Sequence, residues 1–447
     1  MSTLKHAIEK TTDISVSILV FLIPIALIFT SAETETILSF FLLSSITAST
    51  LYATLSKSSN NAIVISTLLF IILFFLIAPT IQISSASYFM VNTAPFSSQS
   101  SAYANILIAL FTLTFFASCE FFSKKIPAKP IHIIPRNEQL PILTLSFISV
   151  VVALYALIES TTPTALTLES QDPTNNALKL KILYFIPFVA LTLSLLSNAP
   201  IKRKILFFLI LITCLLITKN HLTERRNAIG SIYLSVIVIL LPWIIEKGRS
   251  FFYFMGGMML IGFPASSLLT HRQSSDGDAI TLSEIVNAIA SHFSELHYDA
   301  WANLITTIEF TKQTGFYLGG QLIGSAFFFI PRSIWESKPR PTGEVIGDYL
   351  SSNHSMWFNN LSSPIIGEGY IDFGFIGVIF YSVLTAYLCI KIKKLSDSGS
   401  NLHKILYIYS SFFIFFILRG ALLPAVVYFF GALVTIYLIP TLLKKLP

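Results

Sequence analysis

Residues 62–81, AIVISTLLFIILFFLIAPTI, carry no charged side chain. A helix needs about 20 apolar residues to cross the hydrocarbon core of a bilayer, and in hydrocarbon the backbone must satisfy its own hydrogen bonds. The chain repeats this feature along its length. Apolar runs of comparable character lie near 14–30, 37–55, 62–81, 103–122, 141–159, 180–197, 204–218, 228–245, 250–269, 369–390, 404–418 and 422–440. Only 12% of the 447 residues are charged and 54% are hydrophobic, too little polar surface for a soluble domain of this size. The runs are continuous and do not alternate, which excludes a barrel. The expected fold is an all-α polytopic membrane protein with about 12 spans. Residues 1–12 are polar and no small-residue cleavage site follows the first run, so that run is expected to stay as a helix. Cys119, Cys214 and Cys389 match no metal or disulfide spacing and are expected to pack.

Orientation follows from the loop charges. With the N-terminus inside, 18 of the 29 cations face the cytoplasm, among them Lys124, Lys125, Arg203, Lys247, Arg249, Lys391 and Lys394. The other side then holds 17 of the 23 acids. Both termini are therefore expected inside. Three portions result: a first bundle over 1–269 with about nine spans, a long periplasmic loop over 270–368, and a closing bundle over 369–447 with about three. No internal repeat of the inverted-repeat transporter kind is visible.

Cations on the outer side run against this gradient. Three sites hold them: KNHLTERRNAIG (219–230) with Arg225 and Arg226, the loop FFFIPRSIWESKPRPTGEV (327–345) with Arg332, Lys338 and Arg340, and the turn FILRGALLP (416–424) with Arg419. Singly, each arginine can be read as snorkelling to lipid phosphates. Together they favour a shared anionic ligand, because the planar guanidinium fork suits phosphate. A helix start at Arg225 or Arg226 would add free N–H groups. Residues 282–309 have apolar positions at helical spacing, and Thr281 with Glu284 fits a capping box, so an amphipathic helix is expected along the membrane surface or over a cavity. GFYLGGQLIGSAFFFI (315–330) is short for a span; its glycines suit close packing, a re-entrant half-helix or an extra pair of spans that would make 14. His292 and His297 lack the i, i+4 zinc spacing, the DGD at 276–278 lacks the rest of a calcium loop, and no Gly-rich nucleotide loop is present. Trp335, Tyr349, Trp357 and Phe358 can be read as sugar-stacking rings or as interfacial anchors.

IPRSIWESKP (330–339), followed by GEGYIDFGFIG (367–377), resembles the O-antigen polymerase (Wzy-type) family. The match rests on Pro331, Arg332, Trp335, Lys338 and Pro339, then Gly367, Glu368, Tyr370, Phe373, Gly374 and Gly377. It extends to Arg226, with Arg225 as its rival, and to the Arg419–Gly420 turn. The resemblance implies a GT-C-like glycosyltransferase of the bacterial inner membrane. Such an enzyme joins undecaprenyl-diphosphate-linked repeat units at the periplasmic face, with the lipid diphosphate as leaving group and no cofactor or metal. Under it, Arg226, Arg332 and Arg419 would meet the diphosphate, Lys338, Arg340, Trp335 and Tyr370 would add substrate contacts, and Glu368 would be the base, with His354 as a second candidate. Glu368 can equally be read as a structural partner of an arginine. Expected partners are the lipid-linked oligosaccharide, the bilayer and a chain-length regulator; nucleic acid is not among them. Two other readings stand beside this one: an O-antigen ligase and a lipid-linked oligosaccharide flippase.

Overall fold

A computed structural model describes residues 2–57, 61–86, 96–127, 139–161, 182–220, 226–264, 283, 287, 289 and 291–444. Among them there is no strand. The helices are α1 (Ser2–Ile28), α2 (Thr34–Ser56), α3 (Ala62–Ser84), α4 (Ser98–Lys125), α5 (Gln139–Thr161), α6 (Ile186–Leu196), α7 (Ile201–Thr218), α8 (Arg226–Leu240), α9 (Trp243–Glu246), α10 (Gly248–Gly257), α11 (Ala300–Thr314), α12 (Gly320–Ala326), α13 (Thr342–His354), α14 (Ile365–Ser396), α15 (Asn401–Arg419) and α16 (Leu422–Leu443). Among the described residues, eight helices are long and apolar enough to cross a membrane: α1 from Glu9, α2, α3, α4, α5 to Glu159, α14, α15 and α16. Leu183–Leu196 and Ile229–Leu240 are apolar but shorter. Where one span was expected over 228–245, the chain bends at Leu241 and Pro242. Proline there withholds a helix N–H and crowds the preceding turn.

Two cores share α15. One is built on α3, which is apolar all round and 94% buried over its most hydrophobic stretch. Helices α1, α2, α4, α10 and α14 surround it. The other gathers α5, α6, α7, α8 and α16. Along α15, Tyr407, Ile408 and Phe412 face the first core, and Leu402, Ile405, Tyr409 and Phe413 face the second. Polar ties fix α3 to this spine: the Ala62 amide donates to Tyr407 Oη at 2.7 Å, and Ser66 Oγ donates to the Ser411 carbonyl.

Residues 291–314 sit on one end of the bundle. Gln82 Nε2 donates to the carbonyls of Phe293 and Tyr298 at 2.8 and 3.3 Å, and Trp301 Nε1 donates to Asn105 Oδ1 at 2.9 Å. The continuous amphipathic helix expected over 282–309 is interrupted at 293–299 by a turn and one 3-10 turn. Its second half, α11, does not lie on a surface. Trp301, Leu304, Ile305 and Ile308 are fully enclosed and the helix is buried nearly all round. The Thr281–Glu284 capping pair and the DGD motif lie outside the described residues. Between 315 and 330 the only helix is α12, seven residues long and about 10 Å at 1.5 Å per residue, which supports no additional span.

Helix α14 carries a break that the sequence hid. Phe373 and Gly374 leave helical geometry, with Gly374 at φ +61°. A Cβ on Gly377 would stand 1.8 Å from the Gly369 carbonyl oxygen, so the two backbones touch. In a straight helix residues eight apart lie about 12 Å from each other. The first part, 365–372, is therefore folded back over the second, 375–396. The run expected to cross as one span over 369–390 is broken near its start by a chain reversal.

Candidate functional site

Arg419 ends α15, where the Gly420 amide closes the last turn on the Phe416 carbonyl at 2.8 Å. Its Nη2 donates to Asp299 Oδ1 at 3.0 Å and to the Leu296 carbonyl at 3.2 Å. Its Nε is buried with no hydrogen-bond partner among the described residues. Asp299, buried just before α11, is held in turn by Asn303 Nδ2 at 2.9 Å and Ser362 Oγ at 2.7 Å. A short network thus aims one guanidinium while leaving part of its donor capacity unused.

That guanidinium lines a cavity of about 140 Å³. Phe74, Leu234, Met255, Met259 and Phe412 give it apolar walls. Ser231, His292, His297 and Tyr298 join Arg419 as its polar groups. Glu295 Oε2 lies 3.3 Å from His297 Nε2 and 3.7 Å from His292 Nδ1, so one carboxylate stands beside both rings. Burial raises the Tyr298 hydroxyl above the usual tyrosine value, and nearby Arg419 partly offsets this. A guanidinium among mostly apolar lining residues fits a ligand that joins an anionic group to a hydrocarbon part.

The other expected residues are placed as follows. Arg226 is the first residue of α8, whose Gly230 and Ser231 border the cavity; Arg225 lies outside the described residues. Arg332 is not among the lining residues. It is exposed, and donates to the carbonyls of Lys338 at 2.6 Å and Pro339 at 3.2 Å. Lys338 Nζ donates to the carbonyls of Phe328 and Ile330 at 2.6 and 2.9 Å, and Trp335 Nε1 to Ser337 Oγ at 3.1 Å. Arg340 pairs with Asp348 at 2.7 Å. The Asn359 side chain, donating at 2.9 Å, and then Arg340 hold Asp348 below the ordinary carboxylate range. His354 ends α13, edge-on to Tyr349, and Tyr370 is buried edge-on to Tyr103 and Phe316. Of the two arginines, Arg419 borders this cavity and Arg332 does not.

Glu368 is 1% exposed, with both oxygens engaged. Oε2 accepts from the Thr342 hydroxyl at 2.6 Å and Oε1 from the Leu422 amide at 2.9 Å. It therefore joins the starts of α13 and α16, where a carboxylate also complements the helix dipoles. Asp372, four residues on, does the same for α12: it accepts from the Gln321 and Leu322 amides at 2.9 and 3.0 Å and from Tyr381 Oη at 2.6 Å. Sequence reasoning passed over Asp299 and Asp372. Nothing in their neighbourhoods separates them from solvated acids.

No family model matches this chain, nor does any curated protein or solved structure.

Proposed function

We propose that this chain is a membrane glycosyltransferase that polymerises undecaprenyl-diphosphate-linked oligosaccharide repeat units at the periplasmic face of the bacterial inner membrane. In this reading it has a GT-C-like arrangement, both termini in the cytoplasm and about 12 crossings. One observation carries the reading: Arg419, aimed by Asp299, lines a mostly apolar cavity that the first turns of α8 also border. The motif resemblance across 330–377 supplies the reaction class.

In the reaction an acceptor hydroxyl oxygen attacks the anomeric carbon of the growing chain. The bond from that carbon to the diphosphate oxygen breaks, and the lipid diphosphate leaves with the electron pair. Negative charge grows on the leaving group. A fixed guanidinium favours that charge more in the transition state than in the ground state, by about 2–4 kcal/mol for one well-placed donor. Arg419 is assigned this role, with Arg226 as its companion from α8. The hydroxyl proton needs an acceptor close to the cavity, and the His292–Glu295–His297 group lies there. Glu368, with both oxygens committed, is assigned to holding α13 and α16 in place.

The test is synthesis. Purified protein given a synthetic lipid-diphosphate repeat unit, with chelator and without nucleotide, should produce a ladder of polymer lengths. Transfer of one preformed polymer to lipid A-core, with no ladder, would make it a ligase. Movement of the lipid across vesicles without new glycosidic bonds would make it a flippase.

A further inference from the structure

The cationic loop beside α12 spends Arg332 and Lys338 on its own carbonyls and leaves much of its apolar side-chain surface exposed. Protein charges close the start of the seven-residue helix and the turn that follows it. Asp372 accepts from the Gln321 and Leu322 amides at its start, and Lys338 Nζ takes the Phe328 and Ile330 carbonyls past its end. Arg332 takes the next exposed carbonyls, those of Lys338 and Pro339. The amides of Ile330, Ile334, Trp335 and Lys338 close successive turns, and Pro331, Pro339 and Pro341 have no amide to satisfy. A loop in water needs none of this, because water caps its backbone. Non-helical backbone near hydrocarbon does need it.

The side chains facing away from the protein agree. Leu318 is 77% exposed, Phe329 63% and Ile334 78%, with Ile323 and Phe327 about half exposed. This face continues onto two membrane-length helices: Phe328 packs edge-on to Phe430 of α16 at 5.2 Å, and exposed Phe375 and Ile376 of α14 flank the reversal beside it. Gly319, at φ +87°, lies so close to Phe373 that a Cβ would stand 2.7 Å from the ring, which seats the start of α12 against α14. Exposed Ser333, Glu336 and Ser337 limit its depth.

We infer that residues 316–340 form a shallow monotopic insertion whose exposed apolar face occupies the acyl–headgroup boundary of one leaflet, with Arg332 and Lys338 serving as backbone-carbonyl clamps. The insertion reaches about 5–10 Å, the depth typical of interfacial elements. In that position, half-buried Trp335 would lie where interfacial aromatics collect. Arg332 and Lys338 thus make the loop cationic for its own backbone, and this holds whatever chemistry the cavity performs.

The test uses the full-length protein in phosphatidylethanolamine–phosphatidylglycerol vesicles, with a spin label at Phe329→Cys, Ile334→Cys or Asn353→Cys. The three native cysteines are buried and leave these positions to react. Labels at 329 and 334 should collide with oxygen more often than with a water-soluble nickel chelate, and the label at 353 the reverse. A nickel excess at both 329 and 334 overturns the insertion, and shielding from both reagents overturns it in favour of a second protein copy on this face. Lys338→Met should shift the 329 label toward nickel, and Lys338→Arg should restore it. An unmoved 329 label in Lys338→Met overturns the clamp role. The wild-type background tests the insertion even if Lys338→Met does not fold.

Discussion

Arg419 and Arg332 look alike in the sequence, two cations on the side of the chain that should hold few. Their surroundings separate them. Arg332 spends its donors on carbonyls six and seven residues away, whereas Arg419 is aimed by a buried carboxylate and keeps Nε unused. Arg419→Ala should lower polymer synthesis about 10²–10³-fold at unchanged protein level, with Arg419→Lys retaining part because it keeps the charge without the fork. Arg332→Ala should lower synthesis far less; an equal loss in both, measured per folded molecule, would return Arg332 to the site. Asp299→Ala leaves a mostly buried cation unpaired and should cost about 3 kcal/mol, visible as a lower thermal midpoint in detergent. Asp299 was illegible beforehand because it lies within an amphipathic run, where an acid usually faces solvent. Glu368→Gln can still accept from one donor, but turns an N–H toward the other. It should lose about 1–3 kcal/mol of stability and leave the pH–rate profile unmoved, which a lost base would not do.

The span near 369–390 was legible, but the reversal inside GEGYIDFGFIG was not. Glycine spacing signals close approach, and a sequence does not say whether the partner is another helix or the same chain folded back. Gly377→Ala tests the difference. Its new methyl would meet the Gly369 carbonyl at 1.8 Å, backbone against backbone, so about 3 kcal/mol or failure to fold is expected. Gly257→Ala in α10, where nothing lies within 4 Å, should instead gain about 0.5–1 kcal/mol from helix propensity alone. Similar thermal midpoints for the two variants would exclude the folded-back arrangement. Helix α13 offers a pH test. Asp348 is held below its ordinary value, so its pairing with Asn359 and Arg340 adds stability above the unfolded carboxylate value and loses it as pH falls through the folded one. The thermal midpoint gap between wild type and Asp348→Asn should be open at neutral pH and close in acid.

Across the molecule, apolar runs were the legible part, and what each run touches was not. Helices α3 and α5 read alike, yet the hydrophobic stretch of one is 94% buried and that of the other 39%. Lipid tails are as apolar as leucine, so composition does not separate a helix at the centre of a bundle from one at its rim. Polar side chains do separate them: Ser66, Gln82 and Asn105 point to partners inside the protein, while α5 shows Phe147, Leu154 and Ile158 to its surroundings. Sidedness is carried by loop charge, and it is the global property on which the proposed chemistry rests. The cavity with Arg419 lies at the end of the bundle that carries 291–368, and Arg249, paired with Asp13 and Glu9, ties α1 to α10 in the segments expected at the cytoplasmic face. Alkaline phosphatase fused after Asn353 should be active and fused after Ser398 inactive, since the enzyme folds only outside the cytoplasm. The reverse pattern would open the cavity to the cytoplasm. A lipid-diphosphate polymerase would then have its leaving group on the wrong side of the membrane, and Arg419 would need a different anion.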